Sequence, residues 1–196
     1  MNFVCSPFED LDVKLFLQGR NIDIFYSEPI LNVTKLKYLA ASRRRQGFEG
    51  NAATHEKIIK ALFNVIKTMK GFVFLIVEEE FEDEITFLMW RHATSVKREK
   101  ICFSGEKNGV LIYGNTKGYI TPDVKEAKNQ RRQIVASLCI GRIGRPGDVV
   151  FDPFCGNGFA GIASKLCGMD FYGSDASPKA IEKAKEVISG FRRYGT

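Results

Sequence analysis

The chain of 196 residues has few of the side chains from which metal sites and disulfide frameworks are built. It contains two isolated histidines, His55 and His92, and five cysteines, none of which forms a Cys-x-x-Cys pair. This spacing argues against a zinc site, so we expect no metal. An odd cysteine count, acids by Glu9 and no apolar N-terminal core of signal-peptide length favour reduced thiols and a cytoplasmic location.

Long hydrophobic runs and phosphate-loop signatures are missing as well. The longest apolar run, residues 72–77, is far too short to span a bilayer, so we expect no membrane partner. There is no Gly-Lys-Ser/Thr for a nucleoside triphosphate. What remains is 44% apolar and 27% charged, as in a globular protein of one domain. A net charge of +6 favours a polyanionic partner, with a solvated basic surface as the alternative.

Strand and helix patterns alternate along the chain, which is typical of an α/β sheet with crossover connections. Five strands alternate with helices, and two more form an antiparallel hairpin, for which Asn108-Gly109 is the turn signal. Strands are expected at residues 2–5, 22–26, 72–77, 97–103, 110–114, 149–151 and 169–175. Helices are expected at residues 9–17, 57–69, 79–90, 124–140, 160–166 and 178–191. The irregular, basic residues 33–54 predict a mobile loop over a site.

Residues 149–158 are the most informative stretch, because a short apolar run ends in Asp152 and is followed by Gly156 and Gly158. Glycines permit a tight turn and close approach of a ligand, and the helix that follows begins with free N–H groups. A second strand ends in Asp175, 23 positions after Asp152. That is about the spacing at which a β-α-β unit places a carboxylate on a ribose hydroxyl. A glycine-rich turn in another doubly wound fold is the alternative.

The run Asp-Pro-Phe-Cys-Gly-Asn-Gly at residues 152–158 resembles the cofactor motif of S-adenosylmethionine-dependent methyltransferases. This form is typical of enzymes that methylate exocyclic amino groups of DNA bases, and of some RNA methyltransferases. The resemblance implies S-adenosyl-L-methionine as the cofactor. It also implies a set of cofactor-binding residues, namely Asp152, Pro153, Phe154, Gly156, Asn157, Gly158, Asp175, Ala176, Ser6, Gln130 and Arg131. Gln130 and Arg131 stand where the family has Gln-Lys, a pair that a helix and then Pro-Gly-Asp follow in the family.

The late position of this motif resembles the circularly permuted, β-class DNA amino-methyltransferases, in which the catalytic motif precedes the cofactor motif. The resemblance implies a Rossmann-like seven-stranded methyltransferase sheet with helices on both faces and an antiparallel hairpin at one edge. Residues 1–196 would form a single domain, with a catalytic half at 1–90, the hairpin at 97–114 and a cofactor-binding half at 124–196. The first strand would lie beside the strand that ends at Asp175.

The family's catalytic motif, Asp/Ser/Asn-Pro-Pro-aromatic, belongs after the strand at residues 22–26. Its side-chain oxygen and a proline carbonyl accept the hydrogens of the target amine and keep the nitrogen lone pair available. Its aromatic ring stacks on the flipped base. No metal is required.

Here the motif is eroded to Ser27-Glu28-Pro29-Ile30-Leu31, and two registers are open. Either Ser27 takes the first position, or Glu28 replaces the aspartate while Ile30 and Leu31 replace the second proline and the ring. We prefer the second register, with Glu28, Pro29 and Ser27 as the catalytic candidates. The stacking ring is then lost, unless Tyr26, Tyr38 or Phe48 replaces it.

Basic residues cluster on the expected catalytic side, where contacts with phosphates are plausible. The candidates for nucleic-acid binding are Arg43, Arg44, Arg45, Lys35 and Lys37. The hairpin stands where larger relatives carry a target-recognition domain. Because it is short, we expect modest sequence specificity, which a homodimer or a partner subunit would increase.

The sequence therefore predicts an S-adenosylmethionine-dependent methyltransferase that acts on an exocyclic amino group of a DNA base, with adenine favoured over cytosine. The eroded motif supports an alternative, a catalytically impaired methyltransferase-like subunit that binds nucleic acid or protein. A third possibility is a methyltransferase acting on RNA or on a protein side chain, because the cofactor turn alone does not define the acceptor.

Overall fold

The computed structural model describes residues 1–45, 54–102, 108–118, 121–130 and 132–191. Within them, seven strands form one sheet: β1 (Asn2–Cys5), β2 (Ile24–Ser27), β3 (Phe72–Glu78), β4 (Thr94–Cys102), β5 (Asn108–Asn115), β6 (Val149–Asp152) and β7 (Asp170–Asp175). Their spatial order is β1-β7-β6-β2-β3-β5-β4. The first five are parallel, and β5 runs antiparallel to both of its neighbours.

Helices cover both faces of this sheet. They are α1 (Val13–Phe16), α2 (Val33–Arg45), α3 (His55–Thr68), α4 (Glu82–Trp90), α5 (Arg132–Ile143), α6 (Phe159–Leu166) and α7 (Pro178–Gly190). The first four share one hydrophobic core with the sheet, and the last three share the other. Strand residues alternate between the cores: Phe25 faces the first, whereas Ile24 and Tyr26 face the second.

Five aromatic rings fix the middle of the first core. Phe25 and Phe151, on the neighbouring strands β2 and β6, lie 5.7 Å apart between ring centroids. Phe8 packs on both, at 6.3 and 6.2 Å. Phe16 contacts Phe151 at 6.3 Å and Tyr172 of β7 at 5.6 Å. This cluster ties the segment after β1, helix α1 and the central strands together.

The α/β class, the seven-stranded sheet and helices on both faces are confirmed. The expected neighbour of β1 is also correct, because β1 pairs with β7 in parallel and Cys5 lies opposite Asp175. Thr54 and Ser177 cap α3 and α7 with their side chains. The single-domain boundaries and the circular permutation stay predictions at this point.

Several helix bounds were wrong. The helix expected at residues 9–17 is a 3-10 turn, Phe8–Asp10, and a separate α1, because Asp12 caps α1 by accepting from the Leu15 N–H. A 3-10 turn, Glu79–Phe81, precedes α4. The helix expected at 124–140 is a 3-10 turn, Lys125–Ala127, followed by α5. The left-handed backbone of Asn129, with φ 58°, lies between these two.

The hairpin exists, but Asn108-Gly109 does not form its turn. Both residues lie in β5, opposite Cys102 and Ile101 of β4. The connection at residues 103–107 lies outside the described residues. The Asn-Gly pair therefore begins β5, directly after the connection.

The loop expected at residues 33–54 was wrong over its first part, because α2 occupies residues 33–45. Among the helix residues whose side chains are described, Leu36 and Ala40 are buried, whereas Val33, Lys35, Lys37 and Tyr38 are exposed, so the periodic signal is weak. The cap is clearer, since Asn32 Oδ1 accepts from the N–H groups of Thr34 and Lys35. Residues 46–53 lie outside the described part. Within that part, no helix has the length and apolar character needed to cross a membrane.

Phe151→Ala is expected to lower the free energy of unfolding by about 3–5 kcal/mol, because Phe151 is fully buried in the aromatic cluster. Phe87→Ala is the matched control, since Phe87 is 60% exposed and contacts the Arg91 guanidinium over its ring. The control should cost at most about 0.5–1 kcal/mol. Urea unfolding measures both. Equal losses for the two variants would contradict the assignment of Phe151 to the core.

Candidate functional site

The carboxyl ends of five parallel strands meet at one edge of the sheet. At the centre, β6 connects through α6 to β7 on one side, while β2 connects through α2 and α3 to β3 on the other. Ligands of open α/β sheets bind at such a switch point, in the crevice beyond the strand ends. Asp152 ends β6 and Ser27 ends β2, so the two turns that the sequence singled out face this crevice.

A cavity of about 310 Å³ lies at that edge. It is lined from both turns, with Tyr26, Glu28 and Ile30 on one side and Asp152, Phe154 and Gly156 on the other. Further lining comes from the rest of the turn after β6, from the residues around the ends of β1 and β7 and from four helices: Phe8, Glu9, Leu36, Ile58, Pro153, Cys155, Asn157, Phe159, Ala160, Asp175, Ala176, Ser177 and Ala180. The walls are thus apolar, with several carboxyl groups among them.

Asp175 shapes the glycine turn. One of its carboxylate oxygens accepts from the Gly156 N–H at 3.1 Å, and the other accepts from the Ser177 N–H at 2.9 Å. Cys155 donates its N–H to the Ser174 carbonyl at 2.9 Å. Hydrogen bonds therefore tie the loop after β6 to the end of β7.

Two glycines of the turn have left-handed backbones, Gly156 at φ 45° and Gly158 at φ 79°. A Cβ on Gly158 would also lie 2.9 Å from Ile188 Cδ1. Sequence reasoning missed Gly161, which completes a Gly-x-Gly-x-x-Gly spacing. A Cβ there would lie 2.3 Å from Ile188 Cδ1, so Gly161 allows α6 to pack closely on α7. This spacing also fits dinucleotide-binding turns, so the charge of the cavity has to separate the two ligand classes.

The cavity is electrostatically unusual because carboxyl groups gather in it. Burial, and then the negative charges of Glu28 and Asp175, raise the pKa of Asp152 well above its usual value. The Phe154 N–H, 3.0 Å from Asp152 Oδ1, opposes this shift only in part. Burial and the neighbouring Glu28 likewise raise the pKa of Tyr26. Tyr26 therefore remains a neutral donor, with its hydroxyl 3.4 Å from Glu28 Oε1.

In the catalytic turn, Glu28 and Ile30 line the cavity, whereas Ser27, Pro29 and Leu31 are not among its lining residues. The Ser27 side chain is fully buried, and its hydroxyl has no hydrogen-bond partner among the described residues. Leu31 is 2% exposed and belongs to the first core. Position 31, where the preferred register places the stacking ring, therefore does not face the cavity, whereas the Tyr26 side chain lines it.

Most of the cofactor candidates meet at the cavity: Asp152, Pro153, Phe154, Gly156, Asn157, Asp175 and Ala176. Gly158 lies behind the turn. Ser6 donates its hydroxyl to the Pro7 carbonyl and is not a lining residue, and neither is Gln130. Arg131 lies outside the described residues.

Sequence reasoning also missed the contribution of the segment after β1. Phe8 and Glu9 line the cavity in place of Ser6. Their signal was positional, since they follow a parallel strand at its carboxyl end. Ser177 and Ala180, at the start of α7, also line the cavity and were also missed; they too follow the carboxyl end of a parallel strand.

The basic candidates are placed on α2. Lys35 forms an ion pair with Glu78, at the end of β3, so its charge is used within the protein. Lys37 and Arg44 are exposed. Arg43 and Arg45 lie on the same helix, but their side chains are outside the described set, as is Phe48. The exposed Tyr38 is not a lining residue of the cavity.

The thiols near the site are poor nucleophiles. Burial raises the pKa of Cys155, which lines the cavity, and that of Cys139 in the second core. Both thiols stay protonated near neutral pH, which disfavours covalent catalysis by cysteine. Among the described residues, no group of three or more metal-ligating side chains is placed to hold an ion.

Comparison by sequence matches residues 134–186 to the family model described as DNA methylase, which agrees over that stretch with the family expected from the motif. The match spans the glycine turn, β7 and most of α7. A search of the curated proteins returned no match.

Several solved structures share the fold. M1.HpyAVI in complex with SAM aligns with a TM-score of 0.69 at 13% identity, over 95% of this chain and 98% of its own. TTHA0409 of Thermus thermophilus, described as a candidate DNA modification methylase, aligns with a TM-score of 0.67 at 13% identity, over 97% of each chain. The cytosine-N4-specific PvuII DNA methyltransferase aligns with a TM-score of 0.67 at 8% identity, over 99% of this chain and 87% of its own. At such identities the likeness establishes the fold, a methyltransferase sheet.

Asp152→Asn is expected to stabilise the protein at neutral pH. Because the folded state keeps a proton on Asp152 that the unfolded chain releases above about pH 4, the free energy of unfolding falls as pH rises past that value. The amide keeps an acceptor for the Phe154 N–H without an ionisable proton. The variant should therefore melt at a higher temperature than wild type at pH 7–8, with the difference vanishing near pH 4. For a chain of this length, 1 kcal/mol corresponds to about 2–4 °C.

Asp83→Asn, an exposed change in the first turn of α4, is the control and should show no such pH-dependent gain. A difference between Asp152→Asn and wild type that stays constant from pH 4 to pH 8 would contradict the raised pKa.

Proposed function

We propose that this chain, whose residues 134–186 match the DNA methylase family model, belongs to that family and transfers a methyl group from S-adenosyl-L-methionine to an exocyclic amino group of a DNA base, adenine in preference to cytosine. One observation carries this proposal. Glu28 of the eroded catalytic turn lines the same cavity as Asp152 and Asp175 of the cofactor turn. The two halves of a methyl-transfer site thus share one space.

The charge of the cavity supports this cofactor over a dinucleotide. S-adenosylmethionine carries a sulfonium and an ammonium group, and the carboxyl groups of Glu9, Glu28 and Asp175 surround the space, with Asp152 as a fourth once it ionises. Negative side chains stabilise such cations and repel a pyrophosphate. Its volume also lies near the lower end of the range for small-molecule sites, about 300–1,000 Å³.

Roles for the lining residues follow from their contacts. Asp175 accepts two backbone hydrogen bonds, which orient its carboxylate toward the cavity rim, where it would hold the ribose hydroxyls. Gly156 allows close approach, and Phe154 supplies an apolar wall. Asp152 would stabilise the positive end of the cofactor once it ionises. Gln130 and Arg131 remain family-based candidates for the methionine end.

The bound cofactor supplies an activated methyl group. The protein then has to present the amine with its lone pair free. In this proposal Glu28, steadied by the Tyr26 hydroxyl, accepts one hydrogen of the amine, and the Pro29 carbonyl accepts the other. After transfer, the nitrogen gives up one proton to Glu28 or to water. Neither step needs a metal or a thiolate.

The preference for adenine rests on the register with Glu28 in the place of aspartate. Its support is that Glu28 lines the cavity, whereas the Ser27 hydroxyl is buried away from it. Cytosine remains the competing substrate, since a fold neighbour is cytosine-N4-specific. We also propose one circularly permuted domain over residues 1–196, supported by the parallel pairing of β1 with β7. DNA is its proposed partner, with Lys37 and Arg44 as exposed cations on α2.

A second candidate function is a catalytically impaired methyltransferase-like subunit that binds nucleic acid or protein. The observation in its favour is that Ile30 lines the cavity, so an aliphatic side chain lies where a base would need an aromatic surface to stack on. Measurement of methyl transfer separates this candidate from the enzyme.

Glu28→Ala and Asp175→Ala should separate catalysis from cofactor binding. Without the Glu28 acceptor, transfer of labelled methyl to DNA should fall about 10²–10³-fold, while the cofactor Kd from calorimetry changes little. Asp175→Ala removes charged hydrogen bonds worth about 1.5–3 kcal/mol, so the cofactor Kd should rise roughly 10–150-fold. Glu182→Ala, exposed on α7, is the control. If the wild-type protein binds cofactor but methylates no adenine- or cytosine-containing DNA or RNA, the catalytic claim fails and the subunit is favoured.

Ile30→Tyr tests whether the missing ring limits substrate binding. A ring at this cavity-lining position should gain up to about 1–3 kcal/mol of stacking, seen as tighter binding of single-stranded or flipped-base DNA and a lower KM. Leu31→Tyr is the matched control, because it puts the same ring into the first core and should destabilise the fold. Equal effects of both variants on the KM for DNA would contradict the placement of position 30 at the substrate.

A further inference from the structure

An acidic segment, residues 78–84, holds the chain as it leaves the catalytic turn. Glu80 Oε1 accepts from the Asn32 side-chain amide at 3.0 Å, and Asn32 in turn caps α2. Glu78 pairs with Lys35 in the first turn of α2. Glu84 lies 2.8 Å from His55 Nε2 at the start of α3. The segment after β3 thus anchors the first turns of both helices that follow the catalytic turn.

His55 reaches the turn itself. Its Nδ1 lies 3.1 Å from the Leu31 carbonyl oxygen, and its Nε2 lies 3.0 and 2.8 Å from the two oxygens of Glu84. Both partners accept hydrogen bonds only, so both ring nitrogens need a hydrogen to satisfy the geometry. A neutral imidazole has one, and the other nitrogen would then point a lone pair at an oxygen. The contacts therefore favour the imidazolium.

The surroundings agree with that protonation state. Burial lowers the pKa of His55, but the hydrogen bonds to Glu84 and the Leu31 carbonyl, together with the charges of Glu84 on α4 and Glu56 on α3, outweigh it and leave the pKa raised. The Phe81 ring, 5.4 Å away between centroids, covers another side and is uncharged.

The carbonyl that His55 holds belongs to the residue next to Ile30. The Leu31 side chain is buried in the first core, and its carbonyl contacts His55 of α3. Glu28 and Ile30, which precede Leu31 in the turn, line the cavity. A shift of this carbonyl has to be taken up by the residues preceding it, since Asn32 is fixed as the cap of α2.

We propose that His55, as an imidazolium bridging Glu84 and the Leu31 carbonyl, is a positioning residue that sets the placement of Glu28 and Ile30 at the cavity. Its catalytic consequence rests on the function proposed above, whereas its hold on the turn does not. Because the raised pKa belongs to the folded state, the hold is complete below about pH 6.5 and is lost as pH rises through the pKa of His55.

The first test reads the protonation directly. The chain has two histidines, so ring-labelled, tag-free protein gives two imidazole titrations by NMR, and His55→Asn identifies them. The His55 titration should lie above about 6.5, the ordinary value, in the wild type and move to lower pH in Glu84→Gln, which removes the facing charge. A His55 titration at or below that value, or one that Glu84→Gln leaves in place, would overturn the proposal.

The second test measures how firmly the catalytic turn is held. An asparagine at position 55 offers an amide donor near the place of Nδ1 that does not titrate, whereas a leucine offers none. At one pH near 6, hydrogen exchange of the backbone amides at residues 28–35 should be fast in His55→Leu and close to wild type in His55→Asn. His92→Asn, the same change at the other histidine, should leave these amides unchanged. Unaltered exchange in His55→Leu, in a protein that melts cooperatively, would refute the hold.

The third test reads catalysis. In the wild type, kcat for methyl transfer should fall as pH rises through the raised pKa of His55; it should be flat over that range in His55→Asn, and about 10- to 100-fold lower throughout in His55→Leu. A KM for cofactor that stays constant would separate positioning from binding. If no methyl transfer occurs in any variant while the first two tests succeed, the proposed function fails and the hold on the turn stands. If transfer occurs with the same pH profile in wild type and His55→Asn, the positioning role fails and the function stands.

Discussion

The parallel contact between β2 and β6 is the constraint on which the site depends. The two strands pair through Ile24 with Val150 and Phe25 with Phe151, and just before these pairs the Asp23 N–H donates to the Val149 carbonyl. Beyond these pairs their connections lead to opposite sides of the sheet, so the strand ends separate and leave a crevice. The contact between the rings of Phe25 and Phe151 fixes the register, because a slip of one residue would move every side chain of β2 to the other face. Without that register, Glu28 would not share a cavity with Asp152.

Local patterns predicted much of this arrangement. Short apolar strands that end in an acid, and the spacing from Asp152 to Asp175, need only neighbouring residues to be recognised, and the pairing of β1 with β7 followed from the expected sheet. Helix α2 was not predicted because its start depends on a residue distant in sequence: its cap Asn32 is held by Glu80, and several of its described side chains are exposed. The contribution of Phe8 and Glu9 to the cavity was not predicted, because packing directs the side chains of a turn and the periodicity of the sequence carries no information about it.

Acidic residues act in two opposite ways near the site. In the cavity, burial and then the neighbouring carboxyl groups raise the pKa of Asp152, and together these groups leave a space suited to a cation. In residues 78–84, acids instead have partners, among them Lys35 for Glu78 and His55 for Glu84, and so they work as anchors. The net charge of +6 predicts neither arrangement, because it averages over the whole surface. The net charge also suggested more cations for nucleic-acid binding than the fold leaves available, since Lys35 is paired with Glu78.

The loss of the stacking ring is part of a wider change in the turn. Leu31 enters the core directly after Ile30, and Asn32 already caps α2, so the chain has no length in which position 31 could face the cavity. Aliphatic walls from Ile30, Leu36 and Ile58 take the place of a ring. Such walls still contact the face of a base, but they forgo roughly 1–3 kcal/mol of stacking per base. Under the proposed function this loss would weaken binding of the target base, whereas Glu28, the proposed acceptor, and its Tyr26 partner remain at the cavity. The erosion would then affect substrate binding more than the transfer step itself.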